Sequence, residues 1–209
     1  VLALGHNRRF LPGMAELRRL LAEGALGELS HIETNFSGNG ALRYDPANWR
    51  ADPSECPAGG LSPMGIHMID AMVDLCGPVA EVQAQSLRRV VSLPIDDTTA
   101  ILFRFASGMS GYLGTMAATV PVRRIEIFGS KAVVELRDER FLTLRTMEGE
   151  VERKEFPEFD TVRAELEAFA TAAAGGAPYP LPIADAIAGN AAFEAIVTAL
   201  TTKAPTPVP

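Results

Sequence analysis

The chain has 209 residues, and 47% of them are hydrophobic, which is enough for one substantial core and too few for two large domains. Its formal net charge of -7 argues against nucleic acid as a partner, because proteins that bind phosphate backbones need clustered Lys and Arg. No apolar run approaches the roughly 20 residues that cross a bilayer, and the first residues show no signal-peptide pattern, so we predict a cytoplasmic protein with no membrane partner.

The first part of the chain predicts a helix, a strand and a long loop. Residues 12–23 carry apolar side chains at helical spacing, with a proline in the first turn and a glycine after the end. Residues 29–36 predict a strand of mixed character. Residues 37–58 are rich in Gly, Pro, Asn and Asp and predict a loop, and Tyr44 and Trp49 favour an ordered, functional one.

An unusual helix follows at residues 63–76, where three polar residues interrupt an apolar run. At about 100° per residue, His67, Asp70 and Asp74 share one face and the apolar residues cover the rest. A solvated helix face would explain the two acids without any function. His67 is different, because imidazole exchanges protons near neutral pH, and it follows the glycines of "AGGLSPMG", where the backbone could approach a ligand closely. The spacing leaves both interpretations open.

The remaining sequence predicts a run of strands followed by two helices. Seven strand-like segments between residues 79 and 156 are joined by short turns that contain glycine, and such turns cannot make the long crossover that parallel neighbours need. Residues 158–174 and 183–202 predict helices, and 203–209 predict a disordered tail. We therefore predict one α+β domain over residues 1–209, with a large, mostly antiparallel sheet and helices packed on one face.

The other face of this sheet is predicted to mediate oligomerisation. Residues 98–106 and 109–119 offer apolar or small side chains on both faces, which is more than a solvated face carries. We predict a homo-oligomer, a dimer or a tetramer, that forms through this face.

No cofactor or metal site is predicted within the chain. The dinucleotide fingerprint G-x-G-x-x-G and the P-loop string are both absent, and "GGLSPMG" is a weak match to a phosphate-binding turn. His6, His31 and His67 lie on different predicted elements and show no paired-ligand spacing, so we predict no metal.

An ordered set of motifs nevertheless points to a family. The segments "GHNRRFLPGMAELRRLLAEGALGEL", "GGLSPMGIHMIDAMVDLCGPVAEV", "DDTTAILFRFASG" and "IFGSKAVVEL", with the closing "FEAI", resemble the C-terminal domain of the Gfo/Idh/MocA oxidoreductases. This is the family of glucose-fructose oxidoreductase and inositol dehydrogenase. The resemblance covers nearly the whole chain in the same order.

The resemblance implies a two-domain enzyme, of which this chain contains only one domain. An N-terminal Rossmann domain, absent from this chain, would bind NAD or NADP, so no cofactor is expected on this chain alone. The reaction would be hydride transfer at a carbinol or carbonyl of a sugar, cyclitol or related polyol, and the fragment would be inactive. His67 falls on the catalytic histidine of the family, and Asp70 falls on an acid that we interpret as supporting the structure.

The resemblance also leaves specific questions. Many members carry an Asp four residues before the histidine, where this chain has Pro63, so a proton relay of that form is in question. In the long loop, Arg43, Tyr44 and Trp49 offer donors and flat surfaces suited to a polyol, and we predict that they line the substrate pocket. Alternatively, Trp49 anchors the loop onto the sheet.

Two other functions remain open at this stage. The chain could be a binding or scaffolding module that kept the sheet interface without catalysis. It could also be a cofactor-independent isomerase or lyase that pairs His67 with Asp70 or Asp74, since general acid-base chemistry needs only a positioned pair.

Overall fold

The computed structural model describes residues 1–209, and a nine-stranded sheet is its central feature. The strand order is β8-β7-β6-β5-β1-β4-β3-β2-β9, and only β1 and β4 pair in parallel. The predicted mostly antiparallel sheet is thus confirmed, within a mixed sheet. The strands are β1 Leu29–Ser37, β2 Val79–Leu87, β3 Thr98–Phe105, β4 Ser110–Met116, β5 Val122–Gly129, β6 Ala132–Arg137, β7 Phe141–Thr146, β8 Val151–Glu155 and β9 Thr206–Pro207.

Four helices complete the fold and confirm the predicted α+β class. Helix α2 begins two residues later than predicted, because a short 3-10 turn at Gly59–Leu61 precedes it. Further 3-10 turns lie at Asn7–Phe10, Gly40–Arg43 and Trp49–Ala51. The helices are α1 Pro12–Ala22, α2 Gly65–Cys76, α3 Thr161–Ala173 and α4 Ile183–Thr202.

The core lies between the sheet and helices α1, α2 and α4. Because strand side chains alternate between faces, one register row across the sheet points wholly into the core. From α1, α2 and α4, Leu17, Met72 and Ile196 pack onto this face with no exposed surface. The row consists of Ile101, Leu113, Thr34, Ile125, Leu136 and Leu142.

The adjacent row faces away from the helices and is mostly polar. At its centre Leu102 lies opposite Tyr112, and Leu102 is 55% exposed. Beside them, Arg124 donates a hydrogen bond of 2.7 Å to Glu33. The apolar character predicted for both faces therefore holds only over β3 and β4. A groove of about 730 Å³ opens along this face at β2 and β3, and His67 is not part of its lining.

The chain end differs from the prediction of a disordered tail at 203–209. Thr206–Pro207 form β9, which pairs antiparallel with β2, and the Val208 amide donates to the carbonyl of Ala80 at 2.9 Å. The physical reason is the unpaired edge of β2, which offers backbone groups that a short segment can satisfy. A proline is tolerated in such an edge strand because it needs no donor on its outer side.

The prediction that no segment is long and apolar enough to cross a bilayer is wrong for helix α4. Its 20 residues meet that criterion by length and composition. One such helix is weak evidence, and Ala192, Ala195 and Ala199 of α4 lie in the core against the sheet. Much of the rest of the helix is not buried within this chain, and Ile183 and Ile187 are exposed.

Helix α3 is amphipathic but buries no residue. Its contacts run chiefly to the turn at Asn7–Phe10, where Asn7 donates a hydrogen bond to Thr161 at 2.8 Å. An apolar stripe on this part of the molecule is therefore exposed, and we call it the α3 face. It consists of Phe159, Val162, Leu166 and Phe169.

Candidate functional site around His67

The start of α2 is set by two glycines that pack against neighbouring loops. Gly59 has φ +52°, and a Cβ there would lie 1.7 Å from the carbonyl oxygen of Asp96. A Cβ on Gly60 would lie 2.8 Å from the Thr115 hydroxyl. The expectation that this backbone approaches a ligand is wrong, because protein atoms already fill the space. Glycine is required here by packing.

His67 lies in the first turn of α2, inside a small aromatic cluster. Its ring centroid is 5.7 Å from that of His6, with the planes at 86°, and 6.2 Å from that of Phe36. The Nδ1 atom of His67 is buried and has no hydrogen-bond partner. Since buried polar atoms in folded proteins nearly always have a partner, this Nδ1 is an exception among the buried polar atoms of the chain.

The surroundings of His67 favour a neutral imidazole. Burial lowers the pKa of His67 to about 3, with further contributions from the positive charge of Arg8 and from His6. The ring is therefore uncharged near neutral pH and can donate one hydrogen bond and accept another.

A positively charged surface lies next to this ring. The guanidinium groups of Arg8 and Arg123 lie 4.4 and 5.0 Å from the centroid of Phe36, which itself contacts His67. Arg8 is held by Glu139, to which its Nε donates at 2.9 Å. The arrangement would stabilise negative charge on an oxygen bound beside the imidazole.

Asp70 faces the 3-10 turn at Asn7–Phe10 and is buried. Arg9, whose side chain is only 3% exposed, donates to both Asp70 oxygens at 2.9 to 3.1 Å. Burial raises the pKa of Asp70, and the hydrogen bonds from Arg9 oppose that shift. The structure thus places Asp70 in a buried ion pair one helical turn after His67.

Asp74 extends the same network. It accepts hydrogen bonds from Arg9 at 3.2 Å and from Arg18 at 2.6 Å, and Arg9 also donates to Asp185 at 2.9 Å. The interpretation of the two α2 acids as a solvated face is therefore wrong. Their partners come from α1 and the segment before it, and together they fix α2 to the N-terminal part of the chain.

The three loop residues predicted to bind substrate do not meet His67 in this structure. Arg43 is exposed, and Tyr44 packs against the small cluster that contains Ala41. Trp49 is 51% exposed, with the Arg50 guanidinium 4.3 Å from its ring, so it does not anchor the loop onto the sheet. No hydrogen bond or ring contact joins any of the three to His67.

Sequence reasoning missed His6, Arg9 and Asp97. The first two belong to the "HNRRF" stretch, in which Arg8 pairs with Glu139 and only Arg9 reaches the acids of α2, and no local pattern shows either pairing. Asp97 is buried, and its carboxylate accepts hydrogen bonds from the amides of Arg89, Val90 and Val91. Burial raises the pKa of Asp97, but these backbone hydrogen bonds outweigh it and leave the pKa below its ordinary value. Asp97 thereby holds the loop that packs on the Gly59 turn.

The chain offers no cradle for nucleotide phosphates. The glycine turn before α2 is filled by Asp96 and Thr115, and the chain contains no G-x-G-x-x-G string. The residues of this chain therefore do not fit the diphosphate of a dinucleotide. No group of three His, Cys, Asp or Glu side chains is arranged to hold a metal ion.

Comparison with known proteins identifies the family. The model of the GFO/IDH/MocA C-terminal domain matches residues 14–135, so the chain belongs to this family of NAD(P)-dependent oxidoreductases. The recognition made from the sequence motifs is confirmed.

The curated relatives are diol dehydrogenases. Trans-1,2-dihydrobenzene-1,2-diol dehydrogenase of Mus musculus is 26% identical over 150 residues, which cover 71% of this chain and 43% of that protein. The Bos taurus protein of the same name is 25% identical over the same share of each chain. The match spans less than half the length of these relatives.

Solved structures share the fold. Levoglucosan dehydrogenase in complex with NADH and levoglucosan has a TM-score of 0.88 at 20% sequence identity. The match covers 100% of this chain and 66% of the levoglucosan dehydrogenase chain. Aldose-aldose oxidoreductase from Caulobacter crescentus, complexed with glycerol, has a TM-score of 0.85 at 21% identity, with coverage of 99% and 63%. At this identity the likeness establishes the fold alone.

Proposed function

We propose that this chain is the substrate-binding and oligomerisation domain of a cytoplasmic NAD(P)-dependent oxidoreductase that acts on a carbinol or carbonyl of a sugar, cyclitol or related polyol. Family membership supports the reaction class, and the names of the similar dehydrogenases support small polyhydroxylated substrates. The observation that carries the proposal is the neutral, half-buried imidazole of His67 next to the positive charge of Arg8.

His67 would hydrogen-bond the reacting hydroxyl or assist its deprotonation. A neutral imidazole can accept a hydrogen bond from the hydroxyl of a carbinol, and Arg8 would stabilise the negative charge that develops on that oxygen. The redox chemistry would be supplied by NAD(P) bound in a part of the protein outside these 209 residues, since this chain has no cradle for it. By itself the chain would therefore be inactive.

The long loop would provide substrate selectivity. Arg43 and Trp49 are exposed, and Tyr44 is half-buried, so their polar and flat surfaces are available to a ligand. Movement of the loop toward α2 would be needed to bring them beside His67. If Ala substitution of each residue in the complete protein leaves the order of preferred polyols unchanged, this assignment fails.

Exposed apolar surface supports the idea of a further domain. The α3 face presents four large apolar residues, and α4 exposes Ile183 and Ile187. Such surface is unusual for an isolated soluble domain and is typical of an interface. We propose that it contacts the part of the protein that binds the nucleotide.

The open sheet face would form the oligomer. Leu102 and Tyr112 give it an apolar centre, and charged residues of β1 and β5 surround that centre, as at a protein interface. Leu102→Asp should convert the oligomer to a monomer in light-scattering measurements of the complete protein. Leu42→Asp, at a residue of similar exposure in the loop, is the matched control.

The proposal is tested with the protein expressed from its complete reading frame. NAD(P) reduction would be followed over a panel of sugars, cyclitols and diols. His67→Gln should reduce kcat by about 100-fold or more, which is the usual contribution of general acid-base catalysis. Arg19→Gln, at an exposed side chain of α1, should leave the rate unchanged.

A non-catalytic scaffolding module is the second candidate. Pro63 favours it, because no carboxylate stands at the position where many family members carry an acid. A complete protein that forms the oligomer but reduces no cofactor with any polyol would support this function. The isomerase or lyase alternative has lost its basis, since Asp70 and Asp74 are both occupied by arginines.

A further inference from the structure

His6 stands between a carboxylate and the proposed catalytic imidazole. Its ring meets that of His67 edge to face, and its Nδ1 lies 4.0 Å from an Asp70 oxygen. The side chain is 14% exposed, and its buried Nδ1 has no hydrogen-bond partner. The proposed reaction gives His6 no role.

The charges around the two histidines are unevenly distributed. Asp70 is within ion-pair distance of His6, whereas no carboxylate lies within that distance of His67. The positive charge of Arg8 lowers the pKa of His67 and so disfavours protonation of its ring. The charged groups that act on the pair come from the N-terminal segment, α2 and α3, and they are Arg8, Arg9, Asp70 and Glu165.

Two protons cannot readily occupy this pair. Charges about 6 Å apart in a partly buried site repel strongly, and water screens them only weakly. The first proton is favoured on the ring nearer to Asp70, which is His6.

We propose that His6 is a positioning residue for His67: as the pH falls it takes the first proton that the pair accepts, beside Asp70, and its charge then adds to the effect of burial in keeping His67 neutral and able to accept a hydrogen bond from the substrate hydroxyl. The inference rests on the proposed function only for the role of His67 toward the substrate. Burial lowers the pKa of both histidines, and attraction by Asp70 opposes this for His6 only, which agrees with the order.

The order of protonation can be measured directly by NMR titration. The chain has three histidines, so His6→Gln, His31→Gln and His67→Gln assign every imidazole signal. In the unsubstituted chain, His6 should take up a proton at higher pH than His67. If His67 is protonated first, or both together, the proposal is overturned.

Removal of His6 gives a second, independent readout. In His6→Gln, the His67 midpoint should rise by about one pH unit, because the repelling charge is gone. His6→Lys keeps a positive charge and should return the midpoint toward that of the unsubstituted chain, which a purely structural role would not do. Acid unfolding can hide the His67 midpoint in the unsubstituted chain. In that case the His67 midpoint should still be seen above the unfolding pH in His6→Gln. If no His67 midpoint is seen in His6→Gln, the proposal is overturned.

Activity separates this inference from the proposed function. In the complete protein, His6→Gln should move the acid limb of the kcat/KM profile to higher pH by the same amount. If His67→Gln keeps full activity while the titration order holds, the proposed function fails and the histidine pair stands. If the order fails while His67→Gln is inactive, only the inference about His6 falls.

Discussion

Replacement of His67 should make the fold less sensitive to acid. The pKa of His67 is lowered from its ordinary value of 6.5 to about 3, chiefly by burial. A group whose pKa is lower in the folded state stabilises the fold above its unfolded pKa, and this stabilisation is lost as the pH falls. The relevant window therefore runs from about pH 6.5 down to about pH 3.

The magnitude follows from linkage between protonation and folding. With these two values, the free energy of unfolding should fall by about 2 kcal/mol between pH 7 and pH 5 through His67 alone. His67→Gln removes this contribution. The variant should therefore lose about 2 kcal/mol less than the unsubstituted chain over that range, whatever its stability at pH 7. His6 also has a lowered pKa, so some acid sensitivity should remain.

Urea unfolding at pH 7, 6 and 5 measures this difference. Far-UV circular dichroism is the appropriate signal, because the only tryptophan, Trp49, is half exposed and reports poorly on the core. His31→Gln shows what loss of an imidazole does on the open sheet face. If His67→Gln and the unsubstituted chain lose equal stability between pH 7 and pH 5, the argument that burial keeps His67 neutral is refuted.

Two further stability predictions test the contacts that position α2. Arg9→Met leaves Asp70 buried without its partner and should cost about 3 to 5 kcal/mol in urea unfolding, whereas Arg104→Met, at an exposed pair, should cost less than about 1 kcal/mol. Equal losses would contradict the burial argument. Gly59→Ala combines a left-handed φ with a clash and should cost about 3 kcal/mol, against about 1 kcal/mol for Gly24→Ala, which has the strain but open space. Similar melting temperatures for the two variants would show that the turn can relax.

Most of the sheet could be predicted because its strands are local patterns. Alternation of apolar and polar residues, with glycine at the turns, located the ends of β3 and of β5 to β8 within one residue, and it placed the end of β4 three residues too late. The parallel pairing of β1 with β4 was not predictable, since the two strands are separated by α2 and two other strands. Strand β9 carries no pattern of its own and is formed only because β2 offers a free edge.

The site was predicted less completely, because its contacts join distant parts of the sequence. His67 was found from its residue type and the family motif. Arg9 and Asp70 lie 61 residues apart, and no local pattern shows that they pair. Without that pairing, two acids on a helix resemble a solvated face, which is the commoner reason for exposed acids.

The polar face of α2 therefore has one structural explanation for all three of its residues. Asp70 and Asp74 fix the helix to Arg9 and Arg18, and His67 lies one turn before Asp70 on the same face. A helix is rigid over one turn, so the ion pairs that hold the acids also set the position of the imidazole. The same pairs bring His6 against His67, because His6 precedes the turn that carries Arg9. Stability of this part of the fold and orientation of the proposed catalytic ring thus depend on the same contacts.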